Sequence, residues 1–266
     1  MVSLIPKSHR QTVLTAAQRD DQSVFIIGPS GSGKSATAHF IHSHGPRSAR
    51  QFCTVNTKLP LADQLIQARN GTLFIDESKN LNNEDHASLV QFLKTKSISH
   101  PANSNLPMIL NTRLIIASTE EDKSFGKKNQ IIIKIPSLQE RKNEFSIIAE
   151  TLIDELKSTL QKFHIEGIDK DAFEILSAYD WPGNIRELRN VIHLAVIQCN
   201  SNSIKASDLP QFGKEFPEFR QSRNRFEIIF LRELKRIYGN DLNRMSRLSG
   251  LTREDLKSKF TEFNLG

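Results

Sequence analysis

The stretch Gly28-Pro29-Ser30-Gly31-Ser32-Gly33-Lys34-Ser35 limits what this chain can fold into more than any other. It satisfies the pattern G-x-x-x-x-G-K-[ST], follows the apolar run Ser23-Val24-Phe25-Ile26-Ile27 and precedes a helical pattern from Ser35 to Ser43. A strand that ends in such a loop and restarts as a helix is the context a phosphate-binding loop requires. The glycines let successive backbone N–H groups turn inward, and the helix adds the positive end of its dipole. Lys34 is expected at the β- and γ-phosphates of a nucleoside triphosphate, and the Ser35 hydroxyl on Mg²⁺, with ATP the expected nucleotide.

A second acidic feature completes this reading. Thr72-Leu73-Phe74-Ile75 is a buried strand ending in Asp76 and Glu77. Carboxylates at the C-terminal end of a parallel strand lie at the sheet edge where phosphates bind. Asp76 suits contact with Mg²⁺, and Glu77 suits polarising an attacking water. Further apolar runs at 52–55, 113–117 and 131–135 alternate with helical spacing. Continuous apolar strands separated by helices predict a parallel sheet covered on both faces.

After Pro136 the strand signals stop. Helical periodicity at Phe145, Ile148, Leu152 and Leu156, then over Lys170–Tyr179 and Asn184–Cys199, predicts a small helical domain. The expected division is an α/β subdomain over 1–136, a helical lid over 137–210, a linker over 211–221 and a three-helix module over 222–266. With 38% hydrophobic and 25% charged residues the chain has ordinary globular composition, and no apolar run reaches the ~20 residues of a membrane span. Cys53 and Cys199 form neither a disulfide framework nor a metal cluster, and the first residues do not read as a signal peptide, so a cytoplasmic address without membrane contact is expected. From Lys214 onward twelve Lys and Arg face eight Asp and Glu, which contributes +4 of the net +6. That excess points to nucleic acid as a partner of the tail.

These motifs together resemble the AAA+ ATPase domain of bacterial sigma-54-dependent transcription activators. The resemblance rests on the phosphate loop, Ile41-His42 with Pro46-Arg47, Phe52 to Asn56, Gly71 to Glu77, Arg113 to Thr119, Ile135 to Lys142, and above all Trp181-Pro182-Gly183-Asn184-Ile185-Arg186-Glu187-Leu188-Arg189-Asn190. It covers about residues 5 to 210. The resemblance implies that Asn56 restrains the catalytic Glu77, that Thr119 stands at the sensor I position usually held by asparagine, and that Arg186 is the sensor II arginine reaching the γ-phosphate. Residues 222–266 resemble the Fis-type helix-turn-helix domain, with Gly250-Leu251-Thr252 as its turn and Met245 and Ser246 in place of small residues at the helix crossing.

On that resemblance the Thr252–Phe263 helix enters the major groove of DNA. Thr252, Arg253 and Asp255 are expected at bases or phosphates, with Arg244, Arg247, Lys257 and Lys259 on the backbone. The same residues also suit a packing bundle with a solvated basic face. Two departures from the family stand out. Only Thr57 to Asn70 fill the place of the long insertion tipped by Gly-Ala-Phe-Thr-Gly-Ala, and no such hexapeptide occurs in the chain. Glu120 to Ile135 contains no arginine for a finger and offers Lys123, Lys127 and Lys128 ahead of its strand. The expectation is a nucleotide-binding, DNA-binding transcriptional regulator that self-associates as a dimer or ring, with RNA polymerase or a related activator as further partners. It is expected to hydrolyse ATP slowly and not to remodel sigma-54. The alternatives are an ATPase that remodels another protein, with the tail as a docking bundle, and an inactive paralogue that poisons a related activator's oligomer.

Overall fold

The computed structural model describes residues 4–99, 107–126, 129–210, 228, 230–236, 238–239, 241–249 and 251–263. The chain divides into two compact units, Met1–Pro210 and Gln211–Gly266. The first begins with α1 (Arg10–Gln18), β1 (Ser23–Ile27), α2 (Lys34–Ser43), β2 (Phe52–Thr54), α3 (Leu61–Gln67), β3 (Thr72–Ile75) and α4 (Asn83–Thr95). A hairpin of β4 (Ser97–Ser99) and β5 (Pro107–Ile109) leads to β6 (Arg113–Ser118) and β7 (Gln130–Lys134). Strands β2-β3-β6-β1-β7 form a five-stranded, wholly parallel sheet in that order. The five expected strands are all present, with ends shifted by one residue at three of them.

The period-2 alternation of each strand sends its side chains to two separate cores. Val24, Ile26, Ile115, Ala117 and Ile133 pack with Val13 and Ala16 of α1 and with Ala38, Phe40 and Ile41 of α2. Phe25, Leu73, Ile75, Leu114 and Ile116 face the other way, onto Leu61 and Leu65 of α3 and Leu89 and Phe92 of α4. Both faces are therefore dry, as a parallel sheet requires.

Helix α3 also closes the short segment after β2. The Gln64 side chain accepts from the Asn56 N–H at 2.7 Å and donates to the Asn56 and Leu59 carbonyls at 2.9 Å each. Asp85 Oδ1 accepts from Leu61 N–H at 2.8 Å, satisfying a donor that a helix start leaves orphaned. Between β2 and β3 the chain thus makes a stitched corner at 56–60 followed by α3, rather than a protruding loop.

The lid comprises α5 (Phe145–Thr159), α6 (Lys170–Ala178) and α7 (Asn184–Gln198). Strands do not stop at Pro136 as expected: β8 (Gly167–Ile168) and β9 (Ser203–Ile204) pair in parallel. Two-residue strands are too short to show any periodicity. The lid core joins Ile148, Leu152 and Leu156 of α5 to Leu188, Ile192 and Ala195 of α7, with Phe145 stacked near Trp181 at 6.3 Å between ring centroids.

In the second unit, residues 230–236 are helical, followed by α8 (Leu242–Ser249) and α9 (Arg253–Glu262). Leu231, Leu234, Met245 and Leu256 form its core, flanked by Tyr238, Leu242, Leu251, Phe260 and Phe263. The expected 211–221 linker and Gly250 lie outside the described residues. Leu65 is wholly buried between α3 and the sheet, so Leu65→Ala is expected to lower unfolding free energy by about 2–5 kcal/mol, read as a fall in the urea midpoint of the first transition.

Candidate functional site

The parallel register brings three strand ends together. Ile27 at the end of β1 pairs with Ser118 at the end of β6, and Ile75 at the end of β3 pairs with Ile116. The loop Gly28 to Gly33, the pair Asp76 and Glu77, and the pair Ser118 and Thr119 therefore share one edge.

Within the loop, Gly31 (φ 74°) and Gly33 (φ 104°) take the left-handed backbone that glycine adopts without penalty. Lys34 Nζ curls over the loop and donates to the Gly28 and Pro29 carbonyls at 2.7 and 3.2 Å. Burial lowers the Lys34 pKa, the charges of Glu77 and Asp76 oppose that, and Arg186 adds to it. A desolvated ammonium of this kind gains most from a polyanion. Ser32 is 1% exposed, and its buried hydroxyl has no partner among the described residues. An orphaned donor in the same loop as the buried Lys34 ammonium fits an anion.

Ser35 Oγ donates to Asp76 Oδ2 at 3.3 Å. The hydroxyl and carboxylate proposed for a divalent cation are thus neighbours. A hydroxyl and a carboxylate oxygen are donors of the kind a hard divalent cation takes, and phosphate oxygens could complete its shell.

Glu77 stands at φ 63°, a left-handed conformation uncommon for a residue with a side chain. Its Oε1 accepts from Ser118 Oγ at 3.2 Å, from Thr119 N–H at 3.3 Å and from Thr119 Oγ1 at 3.5 Å. Asn56 was expected to restrain this carboxylate, and the structure differs. Asn56 Oδ1 accepts from Lys58 N–H at 3.0 Å, its backbone groups are held by Gln64, and no hydrogen bond joins it to Glu77. The short corner pulls Asn56 into its own turn, and the end of β6 takes over the glutamate. Ser118 was missed by sequence reasoning, since a serine ending an apolar strand carries no signal of its own.

The lid supplies the far wall. Arg186 Nη1 donates to Ser30 Oγ at 3.2 Å, and Arg186 N–H donates to the Gly31 carbonyl at 3.2 Å. Arg189 is engaged elsewhere in the lid, in a two-bond pair with Glu155 at 2.8 and 3.0 Å. Trp181 is 3% exposed and donates its indole N–H to the Leu176 carbonyl at 2.8 Å, as a packed anchor should.

Beyond Thr119, Lys123 stands in a short 3-10 turn, while Lys127 and Lys128 lie outside the described residues. In the second unit, Thr252 and Asp255 form a reciprocal cap: Thr252 Oγ1 accepts from Asp255 N–H at 3.0 Å and donates to Asp255 Oδ2 at 2.8 Å. Both are expected at bases or phosphates, and here their side chains cap the start of α9. Arg253 is exposed and donates to Asn243 Oδ1 at 3.0 Å, Arg244 and Lys257 are exposed, and Lys259 is half-buried. The Arg247 side chain lies outside the described residues.

Residues 7–132 match the Sigma-54 interaction domain and residues 139–225 the AAA+ ATPase lid domain. The chain is 27% identical over 276 residues to the transcriptional regulatory protein GlrR of Escherichia coli K12, covering 89% of this chain and 62% of that protein. It is 25% identical over 300 residues to the transcriptional activator RocR of Bacillus subtilis 168, covering 93% and 64% respectively. The chain therefore spans under two thirds of these relatives' length. Among solved structures, NtrX from Brucella abortus in complex with ATP superposes with a TM-score of 0.65 at 21% identity, covering 97% of this chain and 67% of that one. The fold is the P-loop AAA+ α/β sheet with a helical lid. A Cβ on Gly31 would lie 2.2 Å from the Gly183 carbonyl, so Gly31→Ala is expected to part lid from loop at a cost of about 1–3 kcal/mol, seen as a lower melting temperature.

Proposed function

We propose, on the premise that residues 7–132 match the Sigma-54 interaction domain and 139–225 an AAA+ lid, that this chain is an ATP-binding, DNA-binding transcriptional regulator. One observation carries the nucleotide reading: Lys34, the Ser35–Asp76 pair and Arg186 surround a single loop of left-handed glycines. ATP bound there supplies a polyphosphate whose charge attracts loop and lid together. Lys34 would exchange its loop carbonyls for the β- and γ-phosphates, and Ser35 with Asp76 would orient Mg²⁺. Arg186 is placed to follow a γ-phosphate from the lid side.

Hydrolysis is proposed to be slow. Glu120 to Ile135 contains no arginine, and lysine presents a point charge instead of a planar fork. Losing an arginine finger can lower the rate by ~10³–10⁵. Nucleotide would then act as an assembly switch that orders subunits in a dimer or ring. Sigma-54 remodelling is not proposed, because the corner stitched by Gln64 leaves no projecting loop between Asn56 and Leu61. RNA polymerase or a related activator remains the proposed protein partner.

For the tail, the basic excess and the capped α9 support DNA binding. With Thr252 and Asp255 occupied in the cap, Arg253 is the proposed base-reading residue. Arg244, Lys257 and Lys259 are proposed backbone contacts.

Lys34→Ala is expected to weaken ATP binding at least about tenfold in a titration with labelled nucleotide, while Glu77→Gln keeps binding and lowers turnover. Equal affinity for wild type and Lys34→Ala would refute the nucleotide site. Deleting 222–266 is expected to abolish duplex binding and leave ATP binding intact. Substituting Arg253 is expected to cost about 1–3 kcal/mol on a selected site and less on a scrambled duplex. Undiminished DNA binding by the deleted chain would favour an ATPase that remodels another protein.

A further inference from the structure

Asn184 opens α7 in a left-handed conformation (φ 55°) and is 4% exposed. Its side-chain amide touches two other segments of the unit. Nδ2 donates to the Ser30 carbonyl of the phosphate loop at 2.9 Å and to the Pro182 carbonyl at 3.4 Å, and Oδ1 accepts from Leu138 N–H at 2.8 Å. Leu138 stands where the chain passes from β7 into the lid. Three backbone partners of opposite kinds fix which way this amide faces, since its nitrogen meets carbonyls and its oxygen meets an N–H.

The turn around it is held from behind. Trp181 is also left-handed (φ 53°), unusual for a bulky side chain, and is buried between Phe145 and Tyr179 with its indole N–H bonded to Leu176. Strain of this kind persists only where surrounding contacts over-determine it. Gly183 N–H is taken by Glu187 Oε2 at 2.7 Å, so the first turn of α7 is fixed at both ends.

We propose that Asn184 is a positioning residue that couples the phosphate loop to the lid, so that occupation of the loop by a nucleoside triphosphate is transmitted through its side chain to the β7–lid junction and, together with Arg186, to α7. This rests on the nucleotide-binding reading of the same site. Ser30 lies between Pro29, whose carbonyl holds Lys34, and Gly31, whose carbonyl holds Arg186 N–H. When phosphates draw Lys34 and the loop amides inward, the Ser30 carbonyl moves with the loop. A buried amide that would otherwise lose its partner must follow or be left unsatisfied. Arg186 adds a direct contact from the lid, while Asn184 ties the loop to Leu138 as well.

Asn184→Gly keeps the left-handed backbone and removes both links. Asn184→Asp keeps the oxygen facing Leu138 and removes the donor to Ser30. Hydrogen exchange of the full chain is compared with and without saturating Mg-ATP. In the wild type, ATP is expected to slow exchange in both 28–43 and 184–198, by about tenfold in the latter. In Asn184→Gly and Asn184→Asp the slowing in 28–43 persists, and that in 184–198 falls to about threefold or less, the remainder being carried by Arg186. ATP-induced protection of 184–198 that equals wild type in both variants would overturn the coupling. No ATP effect on 28–43 in the wild type would instead refute the nucleotide site. Melting of the variants without nucleotide checks that each is folded. If Asn184→Gly does not fold, Asn184→Asp decides alone.

Discussion

Parallel pairing of β3, β6 and β1 is the constraint on which the site depends. In a parallel ladder every strand points the same way, so the three C-terminal ends, each followed by a polar loop, collect at one edge. The register sets what meets there: Ile27 beside Ser118 and Ile75 beside Ile116 put the glycine loop, Asp76 and Thr119 within reach of each other. That pairing in turn requires both faces to be dry. Hence the sheet needs α1 and α2 on one side and α3 and α4 on the other before any chemistry is possible.

The elements read correctly from sequence are those whose signal is local and repeated. Ser23–Ile27 and Thr72–Ile75 are unbroken apolar runs, and α5 and α7 carry long 3.6-residue periodicity, so their type and bounds were legible. Helix α3 is only seven residues long and sits in a stretch opened by Lys58-Leu59-Pro60. Strands β4 and β5 are three residues each, set among Ser, Pro and Asn residues that read as loop. The β8–β9 pair is held by long-range contact alone. In each case tertiary context supplied what propensity did not.

The site shows the same division. Lys34, Ser35, Asp76 and Arg186 come together around one loop, because each is fixed near a strand end or a helix start. The partner of Glu77 could not be read that way. Which polar side chain reaches a strand-end carboxylate depends on the length of a neighbouring corner. Here the corner draws Asn56 toward Gln64, leaving Ser118 and Thr119 as the donors. Likewise Thr252 and Asp255, three residues apart at a helix start, bond to each other.

The corner closed by Gln64 carries an evolutionary consequence. One side chain gathers both backbone groups of Asn56 and the Leu59 carbonyl, and α3 begins immediately beyond them. Lengthening the chain here would unpair the Gln64 amide, at about 1–3 kcal/mol per buried group left unsatisfied. The first mutational step toward a projecting lever would therefore be uphill in stability before the lever had anything to grip.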